Sequence, residues 1–226
     1  SCDTGSSLPT MAELAAVLWD MDGTLVDTEP YWIECEHELV NEFGGTWTEA
    51  DAASLIGSDL LDTAAALRAA GVDMEPVALV DRLMDGVIER MQHELPWRPG
   101  ALELLAACRD ASIPCVLVTM SWRRFANAVL VSAPADSFAT TITGDEVTQG
   151  KPHPEPYLAG ARALNVDAAS CVAIEDSRTG VASALAAGCA TLAIPHVVSI
   201  DPTPKLTIAP TLVGFTVDDL RALLLA

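Results

Sequence analysis

Leu18-Trp19-Asp20-Met21-Asp22-Gly23-Thr24-Leu25-Val26 is the stretch on which the fold turns. It follows Leu14-Ala15-Ala16-Val17 without a break, so an apolar run ends in two carboxylates one residue apart. A short run of small and branched apolar residues predicts a buried strand of a parallel sheet. Asp20 and Asp22 then fall at its carboxyl end, and Gly23 lets the chain turn away. Ligand sites of open α/β sheets lie outside the carboxyl ends of their strands. An acidic pair there is placed to hold a hard cation and to attack an electrophile. Asp-rich turns also close strands for local reasons, so the pair alone leaves both readings open.

Outward from this strand, residues 31–95 contain no convincing strand. Helices are predicted at 32–43, 49–55, 60–70 and 77–94, separated by Gly44-Gly45, Gly57-Ser58 and Gly71-Val72. Asp27-Thr28-Glu29-Pro30 breaks the chain before them, and Pro96-Trp97-Arg98-Pro99-Gly100 after them. From Gly100 the two periodicities alternate: helix 101–110, strand 113–119, helix 122–131, short strand 139–143, helix 155–164, strand 171–174, helix 180–187 and strand 190–194. A last short strand at 211–213 and a terminal helix at 217–225 complete the pattern. Such alternation implies β-α-β units and a sheet covered on both faces. The expected organisation has a sheet-forming core at 12–28 and 97–226, a helical cap at 29–96 and a flexible tail at 1–11.

Composition narrows the class. Half of the 226 residues are hydrophobic, enough for a sizeable core. No run of 18 or more apolar residues is present, so no membrane span and no membrane partner are expected. The first ten residues lack the basic and apolar regions of a secretory signal. The net charge is −20, from 12 basic and 32 acidic residues, which argues against nucleic-acid binding. Cys2, Cys35, Cys108, Cys115, Cys171 and Cys189 form no Cys-x-x-Cys pair, and His37, His93, His153 and His196 show no metal-ligand spacing. Reduced cysteines of a cytoplasmic protein are expected, with a monomer or weak homodimer as the assembly.

Chemistry-bearing residues recur at strand ends. Thr119 closes an apolar run and is followed by Met120 and Ser121, where backbone amides opening a helix suit an anion; Ser121 is expected to cap that helix. Lys151 stands between Gly150 and Pro152, with Pro154 beyond. Glu175 and Asp176 end the run Cys171-Val172-Ala173-Ile174 and precede Ser177. Each has a bland reading as turn, cap or solvated group. Together they hold what phosphoryl transfer needs: carboxylates for Mg²⁺, a carboxylate nucleophile, a hydroxyl and an ammonium for phosphoryl oxygens, and a second carboxylate to move protons.

The order DMDGTLVDT at 20–28 with its preceding strand, Thr119, Lys151-Pro152 and IEDSRTG at 174–180 resembles the haloacid dehalogenase-like superfamily. The helical insert between the first two motifs is similar to that of its small-cap subgroup, to which β-phosphoglucomutase-like and phosphoglycolate-phosphatase-like proteins belong. The resemblance implies an α/β fold, a doubly wound, mostly parallel Rossmann-like sheet with an inserted small helical cap domain. It implies that Asp20 is a nucleophile forming an aspartyl-phosphate and Asp22 a general acid/base. Mg²⁺ is then held by Asp20, the backbone carbonyl of Asp22, and Asp176, with Glu175 close by, while Thr119, Met120 and Lys151 hold phosphate. Tyr31, Trp32, Gly57 and Ser58 are the expected cap contacts to substrate. Asp22 favours phosphoryl transfer, because the dehalogenases of the superfamily lack it. Trp32 stands where the mutases keep a histidine, and Leu55-Ile56-Gly57-Ser58-Asp59 lacks their arginine for a second phosphate. The expectation is a Mg²⁺-dependent phosphatase for a small phosphorylated metabolite, over a sugar phosphomutase or a non-catalytic acidic interaction domain.

Overall fold

The computed structural model describes residues 13–226; the tail expected at 1–11, with Cys2, lies outside them. β1 (Ala16–Trp19), β2 (Cys115–Val118), β4 (Cys171–Glu175) and β5 (Ala190–Ala193) are buried at every position. Side chains alternate across each strand. Val17 and Trp19 join Leu117, Val172 and Leu192 in one apolar layer, while Leu18, Val116, Val118 and Ala173 lie in the other. Strands with no solvent-facing side are continuous apolar runs. With β3 (Thr140–Ile142) and β6 (Leu206–Ile208) at the edges, six parallel strands follow the order β3-β2-β1-β4-β5-β6.

The crossovers are α5 (Ala101–Asp110), α6 (Arg123–Leu130), α7 (Glu155–Ala163) and α8 (Arg178–Ala186), and α9 (Val217–Leu223) ends the chain. The chain runs from β1 outward through β2 to β3, then returns to β4 on the other side of β1. That reversal between β1 and β4 is a topological switch point, the usual ligand position of such sheets.

Four helices stand between β1 and α5: α1 (Glu29–Glu42), α2 (Glu49–Ser54), α3 (Leu60–Ala69) and α4 (Pro76–His93). Their starts follow local chemistry. Thr48 and Asp51 form a reciprocal capping box, and the Asp59 carboxylate accepts from the Leu61 N–H at 2.7 Å. The α4 helix buries Leu79, Val80, Leu83, Met84, Val87 and Met91, a single amphipathic stripe. This block joins the sheet layer through two adjacent linkers. Val26 bridges Trp97 in antiparallel fashion, the Asp27 N–H donates to the Pro96 carbonyl at 2.8 Å, and the Arg98 N–H to the Leu25 carbonyl at 2.9 Å. Beyond the linkers, Trp32 packs on Phe125 of α6 with ring centroids 4.9 Å apart.

The structure corrects three boundaries. No strand forms at 211–213; the edge position belongs to Leu206–Ile208. Leu212 is buried, but its backbone is pressed against Gly100, where a Cβ would lie 2.4 Å from the Leu212 carbonyl carbon. The first strand starts at Ala16, not at Leu14. The expected break ending at Pro30 is shorter, because α1 starts at Glu29 and takes Pro30 into its first turn, where a missing N–H breaks no helical bond. The described cysteines, Cys35, Cys108, Cys115, Cys171 and Cys189, are free and buried. Among the described residues no helix is long and apolar enough to cross a membrane.

Candidate active site

Three strand ends and one loop converge at the switch point. Asp20 follows β1, Thr119 follows β2, and Glu175 and Asp176 end β4. Because β1 and β4 are paired with Trp19 opposite Ile174, the carboxylates that follow them emerge side by side. Asp20, Glu175 and Asp176, all buried, each offer a carboxylate oxygen within 4.8 Å of the others. Gly23 makes this possible. It sits at φ +86, and a Cβ there would come 2.1 Å from Asp176 Oδ2.

Lys151 arrives from the loop after β3. Its Nζ donates to Asp20 Oδ1 at 2.8 Å, Glu175 Oε1 at 2.6 Å and the Val118 carbonyl at 2.9 Å, so all three ammonium donors are used. Burial opposes the ammonium, but Asp20 and Glu175 outweigh it and hold its pKa above the usual lysine value. Glu175 is closed on every side. Tyr157 donates to Oε1 at 2.6 Å, while the Asp176 N–H at 3.2 Å and the Ser177 hydroxyl at 3.4 Å donate to Oε2. Burial, then the charge of Asp20, raises its pKa against the pull of Lys151. Asp176 is raised well above the ordinary carboxylate value by burial, then by Asp20 and Glu175.

The second carboxylate of the opening motif is separately held. Thr28 donates to Asp22 Oδ1 at 2.6 Å, and Ser121 to Oδ2 at 2.8 Å, with Thr119 at 3.4 Å from the same oxygen. Burial raises the Asp22 pKa although Thr28 and Ser121 oppose it. Thr24 donates to Asp20 Oδ2 at 2.8 Å and reaches Asp176 Oδ1 at 3.3 Å.

Between sheet and helical block lies a cavity of about 60 Å³, room for about two waters at ~30 Å³ each. Asp20, Asp22, Thr119, Met120, Lys151 and Asp176 line its sheet side. Of the expected cap contacts, Trp32, Gly57 and Ser58 line it too. Tyr31 does not line it; its hydroxyl donates to the Glu94 carbonyl at 3.0 Å, tying α1 to the end of α4. Met120 packs its sulfur under the loop, accepting from the Lys151 N–H at 3.2 Å. Ser121 is not the cap of α6, which has no side-chain cap; its hydroxyl serves Asp22 instead.

Sequence reasoning passed over Thr24, Thr28 and Tyr157, and over Glu29 and Glu36. Glu29, Trp32, Ile33 and Glu36 all line the cavity. Their i, i+3, i+4, i+7 spacing, the signature of one helix face, was the available signal. Burial, then Asp22 and Glu36, pushes Glu29 up to about 8; burial pushes Glu36 up to about 7 despite a hydrogen bond from Trp47. Arg82, Arg90, Arg123 and Arg124 pair with carboxylates outside the cavity, Arg82 with Glu42, Arg90 with Glu34 and Glu38, Arg123 with Glu146, and Arg124 with Asp81 and Asp85.

Comparison with known proteins agrees with this geometry. Hexitol phosphatase A of Escherichia coli (strain K12) is 33% identical over 193 residues, covering 84% of this chain and 85% of that protein. A phosphorylated carbohydrates phosphatase of Thermotoga maritima is 31% identical over 184 residues, covering 77% and 82%. The fold matches that of CbbY from Rhodobacter sphaeroides, solved in complex with phosphate, with a TM-score of 0.83 at 22% identity, covering 92% of this chain and 99% of that one. A family model for haloacid dehalogenase-like hydrolases matches residues 17–194. The four motifs, the parallel sheet that brings them together and these matches establish that the chain belongs to the haloacid dehalogenase-like hydrolase family.

Proposed function

We propose that the protein is a phosphomonoesterase acting on small phosphorylated metabolites of the carbohydrate type, through a phosphorylated Asp20. The observation that carries this reading is the placing of Asp20. Its carboxylate is fixed by Lys151 and Thr24, each at 2.8 Å, and it lines the same cavity as Asp22 and Thr119. Asp20 attacks phosphorus, the bond to the ester oxygen breaks, and Asp22 delivers a proton to that oxygen as it leaves. Asp22 then takes a proton from a water whose oxygen attacks phosphorus. The bond to Asp20 breaks and inorganic phosphate departs. Lys151, by exchanging one of its three present bonds, and Thr119 would hold the phosphoryl oxygens.

The carboxylate set fits a hard divalent cation such as Mg²⁺, since three buried acids face one buried lysine. Asp20, Asp176 and the Asp22 carbonyl would hold it. Glu175, with both oxygens already engaged by Lys151, Tyr157, Asp176 and Ser177, serves to anchor Lys151. When bound, the cation draws charge from the phosphoryl group. A mutase would need a cation for a second phosphate, and Lys151 is the one basic side chain among the cavity residues.

Hydrolysis of p-nitrophenyl phosphate in Mg²⁺ tests this reading. Wild type should turn over and lose activity on chelation. Asp20→Asn should fall by about 10³-fold or more, as expected for a lost covalent nucleophile. Near-normal turnover by a pure Asp20→Asn sample would refute the assignment.

A further inference from the structure

The wall of the cavity opposite the phosphoryl site has its own chemistry, and it is acidic. Glu36 is 6% exposed and lines the cavity from the third turn of α1. Trp47, from the loop after α1, donates its Nε1–H to Glu36 Oε2 at 3.1 Å and fixes the carboxyl. No hydrogen bond among the described residues reaches Oε1. That oxygen is not sealed away, so on the cavity wall it is open to a donor. The Glu29 carboxyl, seven residues earlier on the same face, also lines the cavity and has no partner among the described residues. The remaining wall is apolar or hydroxylic: Trp32, Ile33, Leu55, Ile56, Ser58 and Thr63. The one cation, Lys151, is spent on Asp20 and Glu175. The block therefore offers carboxyl oxygens, and negative charge once the pH exceeds about 8, to whatever leaves the phosphorus.

We propose that Glu36, clamped by Trp47, is a specificity-determining residue whose free carboxylate oxygen accepts a hydrogen bond from a hydroxyl or ammonium donor on the leaving group and turns away esters carrying a second anionic group. This rests on the phosphatase reading above. Rejection follows from like charge. A second phosphate or a carboxylate would be pressed against two acids with no cation to spare, a repulsive element that separates otherwise similar esters. Selection follows from the unpaired oxygen, because an ester lacking a donor covers it, displaces its water and leaves it unsatisfied.

The test measures kcat/KM in Mg²⁺ at about pH 8.5, above the titration of both carboxyls, for ethyl phosphate, whose alkyl group carries no donor, a hexitol monophosphate, glucosamine 6-phosphate and fructose 1,6-bisphosphate. Glu36→Gln keeps an oxygen for Trp47 and removes the charge. The preference for the donor-bearing monophosphates over ethyl phosphate should drop about tenfold in this variant, and discrimination against the bisphosphate should narrow. A drop confined to the hexitol ester identifies a hydroxyl donor, and one confined to the amino sugar identifies an ammonium; either supports the proposal. Trp47→Phe, which leaves Glu36 unanchored, should raise KM for the same esters severalfold and gives a second route if Glu36→Gln folds poorly. Wild type preferring the bisphosphate, or unaltered ratios and KM in both variants, overturns this proposal alone. Failure of wild type to hydrolyse any of the four esters overturns the phosphatase reading and this one with it.

Discussion

At the scale of single residues, the site depends on groups that carry no charge as much as on those that do. Gly23 holds φ +86 with Asp176 in the space a Cβ would take. Gly23→Ala should therefore cost about 1–3 kcal/mol of stability through backbone strain and displace Asp176. The unfolding midpoint in urea and a Mg²⁺ titration followed by melting temperature would read the two effects. An unchanged midpoint and titration would show that Asp176 swings clear without loss. The legibility of the site divides along the same line. Asp20, Asp22, Lys151 and Asp176 stand out in the sequence because acids at strand ends, and a lysine framed by Gly150 and Pro152, need a reason. Thr24, Thr28 and Tyr157 are not, because buried hydroxyls have many uses and only the fold shows that they face Asp20, Asp22 and Glu175. Ser121 misled for the same reason, since a serine before a helix reads as a cap until the helix proves to start two residues later.

At the scale of elements, the sheet was readable where strands are buried on both faces and obscure at its edge. β1, β2, β4 and β5 announce themselves as apolar runs, whereas β6 alternates around Thr207, is only half-covered, and lies close to Leu212, whose apolar neighbourhood looks more like a strand. Two of the contacts by which the helical block meets the sheet layer differ in weight. Trp32 against the fully buried Phe125 is apolar and enclosed. Arg124 with Asp81 and Asp85 is half-exposed. Trp32→Ala should destabilise the protein by about 3 kcal/mol or more, and Arg124→Ala by about 1 kcal/mol or less, with the latter vanishing in high salt. Urea unfolding at two ionic strengths decides between them. A larger loss for Arg124→Ala would mean that electrostatics, not packing, seats the block. The acidic face of α1 is not legible in the sequence because Glu29 and Glu36 look like solvated helix positions until the fold turns them to a cavity shared with Ala52 of α2 and Leu60 and Thr63 of α3.

At the scale of the whole molecule, the net charge of −20 and the buried acids act in one direction with pH. Glu36 rises from an ordinary 4.5 to about 7 on folding, and Glu29 to about 8. The folded state holds these protons more tightly, so their contribution is full below about pH 4.5 and is lost as pH climbs towards 8. For Glu36 the loss is on the order of 3 kcal/mol. Without divalent cation, wild type should thus lose more stability between pH 5 and 8.5 than Glu36→Gln. Global charge repulsion is nearly common to both proteins, so parallel pH profiles would contradict the burial of an ionisable Glu36. The paired linkers have a separate consequence. Since Val26 and Trp97 share a backbone bridge, the polypeptide departs from the sheet and comes back at almost one spot. To the sheet, the seventy residues between, by the numbering 27–96, are topologically a single loop. A chimera needs only two neighbouring splice points to exchange that loop for another helical segment, so on the proposed function the residues that break the phosphate ester and those that choose which ester enters can be inherited, or engineered, apart.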